Sequence, residues 1–136
     1  MVRPGCAADL DAIAAIQAVC PEAAQWNTAE YLECDFLVAI LDGRIVGFLV
    51  GRMTAPGEYE VLNLAVAPSV RRCGFGRELM SAFVQRSMGD IFLEVRDANQ
   101  AARNFYKSIG FREIAVRREY YDNPPDDGVV MNFHSC

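Results

Sequence analysis

Between Leu64 and Arg77 the chain reads Leu-Ala-Val-Ala-Pro-Ser-Val-Arg-Arg-Cys-Gly-Phe-Gly-Arg. At its centre is Arg71-x-x-Gly74-x-Gly76, lying between a strand-like and a helix-like segment. Glycines at 74 and 76 let backbone approach a ligand with no Cβ in the way. The helix that follows opens with unpaired N–H groups and the positive end of its dipole. Arg71, Arg72 and Arg77 add fixed positive charge, and together these features suit a diphosphate. No Gly-Lys-Ser/Thr follows, and the first glycine of GxGxxG is missing, so the loop is neither a triphosphate loop nor a dinucleotide fingerprint. Two further groups invite chemistry. Glu94 sits inside the apolar run Ile91 to Val95, where an exposed acid is not expected. Tyr106 lies on a helical segment beside Phe105, with an O–H of ordinary pKa about 10.

The elements that must position these groups alternate. Val2 to Pro4 reads as a short first strand. Ala8 to Val19 carries Leu10, Ile13, Ala14 and Ile16 at helical spacing, with Asp9 and Asp11 in its first turn. Asn27 or Thr28 caps a short second helix through Cys34. Phe36 to Leu41, Asp42-Gly43 and Arg44 to Val50 form a hairpin signal, because Asp-Gly suits a type I′ turn. Glu58 to Val66 is a third apolar strand. Arg77 to Met88 reads as a helix, Ile91 to Val95 as a buried strand, and Ala98 to Ile109 as a helix ending at Gly110. Phe111 to Arg118 and Val129 to Phe133 complete the sheet, with the polar turn Asp122 to Gly128 between them. The pattern is one α/β domain over residues 1–136, with helices covering the sheet and ligands entering at strand ends.

Composition narrows the class. The chain has 136 residues, 52% apolar and 23% charged, which is one globular domain. Its net charge of −5 argues against a general nucleic-acid binder. No apolar run approaches the ~20 residues of a membrane span. The start, Met1-Val2-Arg3-Pro4-Gly5, has no signal-peptide pattern. Five scattered cysteines (6, 20, 34, 73 and 136), no CxxC and a single histidine, His134, offer a poor zinc site. Free thiols in a reducing cytoplasm are the simplest account, Cys73 included. Every basic residue except Lys107 is Arg, which reads as genome composition before function.

The phosphate-loop pattern after a strand ending Ala-Val-x-Pro resembles the acetyl-coenzyme A signature of the GCN5-related N-acetyltransferases. Leu93-Glu-Val-Arg-Asp-Ala-Asn99 followed by Tyr106-Lys-Ser-Ile-Gly-Phe111 is similar to a block of the ribosomal-protein-alanine N-acetyltransferases, the RimI type. Arg117-Arg-Glu-Tyr-Tyr121, Asn63-Leu-Ala-Val66 and, more weakly, Ala24-Gln25-Trp26 resemble the same type. The resemblance implies a single domain of that fold: a mixed, mostly antiparallel sheet whose central strands splay at a bulge. It implies acetyl-CoA as cofactor. Leu64, Ala65 and Val66 would pair with the pantetheine arm. The pyrophosphate would sit on the amides from Arg72 through Cys73, Gly74, Phe75 and Gly76 to Arg77, with Arg71 and Asn99 also contacting the cofactor. Glu94 would act as general base and Tyr106 as general acid. Trp26, Tyr120 and Tyr121 would wall the acceptor groove. The acceptor would be a protein N-terminus, that of a ribosomal protein included, met in the cytoplasm away from membrane and nucleic acid.

The chemistry is consistent on its own terms. Acyl transfer from a thioester needs a neutral amine. Roughly one α-amine in ten is neutral at pH 7, against fewer than one lysine in a thousand. A carboxylate acting through a water can therefore serve an N-terminal amine. Each residue also has a plainer reading. Glu94 could pair with Arg96 or another Arg, Tyr106 could pack on Phe105 or Phe111, and Asn99 could only cap its helix. Glu58, Glu60, Asp126 and Asp127 read either as a solvated rim or as an attraction for a basic peptide. The stretch from Trp26 to Phe36 is shorter than usual for the RimI type, which implies a truncated second helix and a more open groove. Two alternatives follow: acetylation of a small amine or lysine side chain, and a non-catalytic acyl-CoA-binding module.

Overall fold

A computed structural model describes residues 1–135, so Cys136 lies outside the described residues. The elements are β1 (Val2–Pro4), α1 (Leu10–Ala18), β2 (Asp35–Leu41), β3 (Arg44–Ala55), β4 (Glu58–Val66), α2 (Phe75–Arg86), β5 (Gly89–Arg96), α3 (Gln100–Ser108), β6 (Arg112–Tyr121) and β7 (Asp126–Ser135). One seven-stranded sheet has the order β1-β2-β3-β4-β5-β7-β6. All neighbours are antiparallel except β4 and β5.

That parallel seam is short. Only Glu58, Tyr59 and Glu60 pair, with Asp90, Ile91 and Phe92. Beyond it β4 stays with β3, while β5 stays with β7 as far as Arg96 and Gly128. The sheet therefore opens as a V from Val61 upward, as the resemblance implied. The β3–β4 register slips between Val50 and Gly51, which pair with Asn63 and Val61 and leave Leu62 as the extra residue. A bulge of this kind bends its strand away and re-aims its side chains. Leu62 and Asn63 both pack on the α1 side, while Val61 packs on the other.

Two apolar clusters sandwich the sheet. One joins Leu79, Met80 and Phe83 of α2 and Tyr106 of α3 to Leu49, Ile91, Leu93 and Met131. The other joins Ile13 and Ile16 of α1 and Tyr31 to Val38, Phe48 and Val50. Truncating a fully buried member such as Leu79 to Ala costs about 2–5 kcal/mol. Arg3 donates two bonds to Asp9, at 2.8 and 2.9 Å, fastening β1 to the approach of α1. That pairing holds the Asp9 carboxyl down at about 2.

The expected hairpin forms, with Asp42 and Gly43 both at positive φ as a type I′ turn requires. Several boundaries differ. β3 runs five residues past Val50, to Ala55, with Arg52, Met53 and Thr54 exposed. A strand held by its ladder and open to solvent leaves no apolar pattern to read. α2 starts and ends two residues earlier than its apolar spacing suggested, because Gly74 caps it and Ser87 terminates it. The short second helix is a 3-10 helix, Thr28–Glu33, whose cap Asn27 accepts from the Ala29 amide at 3.1 Å. β6 runs on to Tyr121 through exposed Glu119 and Tyr120, and β7 begins at Asp126, where the half-buried Asp126 and Asp127 and the buried Gly128 have turn-type sequence that reads as loop.

Candidate active site

The V supplies free backbone. The Ala67 amide donates to Val46 of β3 at 2.7 Å. Strand alternation then turns the N–H groups of Leu64 and Val66 toward the opened side, and Ala65 toward β3. Ala65 is buried and pairs Phe48. The Val66 carbonyl faces the gap as well. It meets Arg71 Nε at 3.4 Å and Cys20 Sγ at 3.6 Å.

The loop from β4 to α2 supplies amides. The first backbone bond of the helix runs from Glu78 N–H to Gly74 C=O at 3.0 Å. Among the described residues, the amides of Arg72 to Arg77 have no backbone acceptor. Arg72 (φ 66°) and Gly74 (φ 87°) are both left-handed. Such conformations turn successive N–H groups into an anion-binding concavity. A Cβ on Gly74 would meet nothing, so backbone conformation and not space requires glycine there. Gly76 answers to a different need: its missing Cβ lies 3.3 Å from the Phe105 ring, and it serves the packing of α2 on α3. Cys73 is exposed and free. Phe75 opens α2 and packs against the core. Arg77 reaches Ser108 Oγ at 3.5 Å. Arg71 does not reach over the loop. It turns back to an ion pair with Glu22 and to the Val66 carbonyl.

Glu94 and Tyr106 approach the V from opposite faces. Ile91, Leu93 and Val95 alternate into the α2–α3 core, which turns Glu94 to the α1 side. Its Oε1 pairs with Arg117 Nε at 3.3 Å, and its Oε2 is buried with no hydrogen-bond partner. Burial raises the carboxyl above its ordinary 4.5, Glu60 adds to the rise, and Arg117 opposes it. The expected arginine partner is present, but it is Arg117 and not Arg96. Tyr106 is buried against Phe105 and Phe111, with ring centroids at 5.3 and 5.6 Å, and burial raises its phenol strongly. Packing and chemistry are therefore compatible at Tyr106. Asn99 caps α3, its Oδ1 accepting from the Ala102 amide at 3.1 Å.

Tyr121 links the two faces. Burial first, and then the Glu94 charge, push its phenol up to about 12, and Tyr121 in turn adds to the rise at Tyr106. Tyr120 and Glu94 Oε2 both close on Gly128, each within 3.2 Å of where a Cβ would stand. Trp26, 40% exposed, stacks on Tyr31 at 6.4 Å on the α1 side. So Tyr120 lies beside Glu94, while Trp26 packs on Tyr31 on the α1 side.

Three positioning devices escaped the sequence reading. Asn63, at the bulge, accepts from the Ala24 amide at 3.2 Å and donates to the Ala24 carbonyl at 2.9 Å, to Tyr31 at 3.0 Å and to Gln17 at 3.3 Å. Gln17 in turn donates to the Trp26 carbonyl at 2.7 Å. A polar residue in an apolar strand was the only signal of this network. Arg96 donates to the Pro124 and Asp122 carbonyls at 2.7 and 3.0 Å and stacks 4.4 Å over Tyr121, which fixes the β6–β7 turn. Arg117 stands 5.4 Å over Tyr120. A pocket of about 170 Å³ beneath Glu94 is lined by Glu60, Phe92, Glu94 and Arg117 among others.

Comparison with known proteins agrees with this geometry. Residues 10–111 match the family described as Acetyltransferase (GNAT) family. The chain is 33% identical over 102 residues to [Ribosomal protein bS18]-alanine N-acetyltransferase of Haemophilus influenzae, covering 70% of this chain and 68% of that protein. It is 39% identical over 94 residues to N-alpha-acetyltransferase RimI of Mycobacterium tuberculosis, covering 65% of this chain and 59% of that one. The crystal structure of the Escherichia coli ribosomal-protein-S18-alanine N-acetyltransferase superposes with a TM-score of 0.85 at 25% identity, over 99% of this chain and 93% of that one.

Proposed function

The chain belongs to the acetyltransferase (GNAT) family, and from that premise we propose that it transfers an acetyl group from acetyl-CoA to the N-terminal α-amine of a protein. A cytoplasmic ribosomal protein with an N-terminal alanine is the acceptor that its relatives' names suggest. The buried, unpartnered Oε2 of Glu94 at the opened β4–β5 seam carries the reading. An orphaned carboxylate oxygen is costly unless something is meant to bind it.

The residues present fit acetyl-CoA: unused amides at 72–77 for the diphosphate, and a free β4 edge at Leu64 to Val66 for the arm. When bound, the thioester supplies the activated acyl group. Glu94, its carboxyl raised by burial against the pull of Arg117, takes the proton of the incoming amine, directly or through a water. The Val66 N–H, turned to the opened side of β4, would be the donor for charge developing on the thioester carbonyl oxygen. Tyr106 stays protonated across the working range and holds its proton at Oη for the departing sulfur. Trp26, Tyr120 and Tyr121 orient the peptide over Glu94. Transfer is direct, in a ternary complex.

To test this, thiol release is followed with acetyl-CoA and peptides that begin with free Ala or Ser. Glu94→Gln should lower kcat by about 100-fold or more, the usual share of a general base, with acetyl-CoA affinity intact. In the wild type the rate should fall as pH drops through the Glu94 pKa, at a limb above 4.5 because the carboxyl is raised. Equal turnover by the variant rejects the base assignment.

A further inference from the structure

The pocket beneath Glu94 holds two carboxylates, and each already has its own guanidinium. Glu94 pairs with Arg117 at 3.3 Å, and Glu60 pairs with Arg52 at 2.9 Å. We propose that Arg117 is a specificity-determining residue: by neutralising Glu94 at the mouth of the acceptor site, it keeps the site from attracting ammonium groups and so favours an α-amine over a lysine side chain. This rests on the acetyltransferase reading above and deepens it.

The argument is electrostatic. A lysine reaches the site almost wholly as a cation, whereas an N-terminal amine is neutral in a substantial fraction near pH 8. With Glu60 already paired to Arg52, a Glu94 carboxylate left without its own cation would concentrate ammonium groups at this pocket. The neighbours of Glu94 leave Arg117 as the compensating charge. From β4 it faces Glu60, an acid that reinforces the negative field. From β6 come Arg117 and the rings of Tyr120 and Tyr121. From β7 come Gly128 and Val130, which carry no charge. On β5 itself, Arg96 turns its guanidinium away to the carbonyls of Asp122 and Pro124. Arg117 is also placed to act as a gatepost. Its side chain is 58% exposed, its guanidinium lies over Tyr120, and it lines the pocket that Glu94 enters. An incoming ammonium must displace it from Glu94; an incoming neutral amine need only approach the free Oε2.

The test uses two peptides with the intact enzyme. One has a free N-terminal Ala and no lysine; the other is N-terminally blocked and carries one lysine. kcat/KM is measured for both at about pH 8.5, where the α-amine is largely neutral and the lysine largely charged. Wild type should prefer the α-amine peptide. Arg117→Gln should reduce that preference by about fivefold, the upper end for one partly exposed ion pair. The acid limb for the α-amine peptide should move to higher pH, since the opposing cation is gone. Lysine turnover by the variant should fall with added salt, because the new attraction is screened. Arg117→Lys keeps the charge and should restore preference and limb. A merely structural Arg117 would slow both peptides alike in both variants and leave the ratio unchanged. A selective wild type with an equally selective Arg117→Gln variant overturns this proposal alone. A wild type that transfers to neither peptide overturns the acetyltransferase reading, and this proposal with it. A wild type that takes the lysine peptide as readily overturns the α-amine acceptor.

Discussion

Tyr106 is where packing and proton chemistry meet in one side chain. Its ring closes the core between Phe105 and Phe111, so the aromatic part is fixed before any substrate arrives. Its hydroxyl is raised strongly by burial, to which the neighbouring Tyr121 adds. A phenol held protonated is a poor source of a free proton but a good hydrogen-bond donor to a sulfur gaining charge, because the donor cannot be lost to solvent. Tyr106→Phe separates the two roles. The ring and its contacts remain, so thermal stability should change by less than about 1 kcal/mol, the scale of one net hydrogen bond. Transfer should fall by about 10-fold to 100-fold in kcat, near the lower range for a general acid, with KM for acetyl-CoA unchanged. A variant that turns over at the wild-type rate removes Tyr106 from the chemistry and leaves it as core. The sequence singled out this residue and Glu94 as candidates for chemistry. It could not rank the two readings of either, since a buried phenol and a catalytic one look alike in a helix, and the Arg117 partner of Glu94 is twenty-three positions away and across β7.

Among the elements, β4 has the hardest task, because it must pair on one edge and stay open on the other. The bulge at Leu62 does this by handing two successive residues to the α1 side. Asn63 then replaces the missing strand neighbour: its amide bonds both the N–H and the C=O of Ala24, much as a peptide group would. The same side chain thus ties β4 to the loop that carries Trp26. Asn63→Ala would leave both Ala24 groups without this partner and remove a donor from Gln17 and Tyr31, which keep their bond to each other. We expect a loss of about 2–4 kcal/mol, from several partners that each lose a bond. We also expect a higher KM for the acceptor peptide, with acetyl-CoA affinity nearly unchanged; the measurement is denaturant unfolding beside two-substrate kinetics. An acceptor KM that does not move would separate the loop from the groove. This element shows what the sequence could and could not say. Apolar runs, the Asp-Gly turn and the glycine loop set most strands and helices, because half-buried elements carry a period. The bulge carries none, and neither do the exposed continuations of β3 and β6. The second helix was readable as short, yet its consequence was not. Buried Tyr31 and Gln17 lie beneath Trp26 there, bonded to each other, with Gln17 also donating to the Trp26 carbonyl.

For the molecule as a whole, the decisive feature is how weakly its two half-sheets are joined. β1 to β4 form one antiparallel ribbon and β5, β7 and β6 another, and three parallel pairs connect them. The α2–α3 cluster spans the seam from one face, drawing on Leu49 and Val61 on one side and Leu93 and Met131 on the other. On the opposite face the buried α1 cluster, among the described residues, belongs to the first ribbon alone and does not span the seam where Glu94 stands. A ligand seated in the V would add the missing bridge. It would take the free β4 edge with its arm and the amides of Arg72 to Arg77 with its diphosphate, and it would bind the folded state only. Mass action then fixes the size of the effect. At 100 times its Kd, such a ligand stabilises by about 2.7 kcal/mol, which for a domain of this length raises Tm by about 8–10 °C. Which end grips can be read by shortening the ligand. Pantetheine keeps the arm and lacks the diphosphate, so at the same concentration it should give a much smaller rise, with the difference shrinking as salt is added. Equal shifts from pantetheine and acetyl-CoA in differential scanning fluorimetry would mean that the amides at the start of α2 hold no anion. The left-handed Gly74 would then serve only to begin the helix.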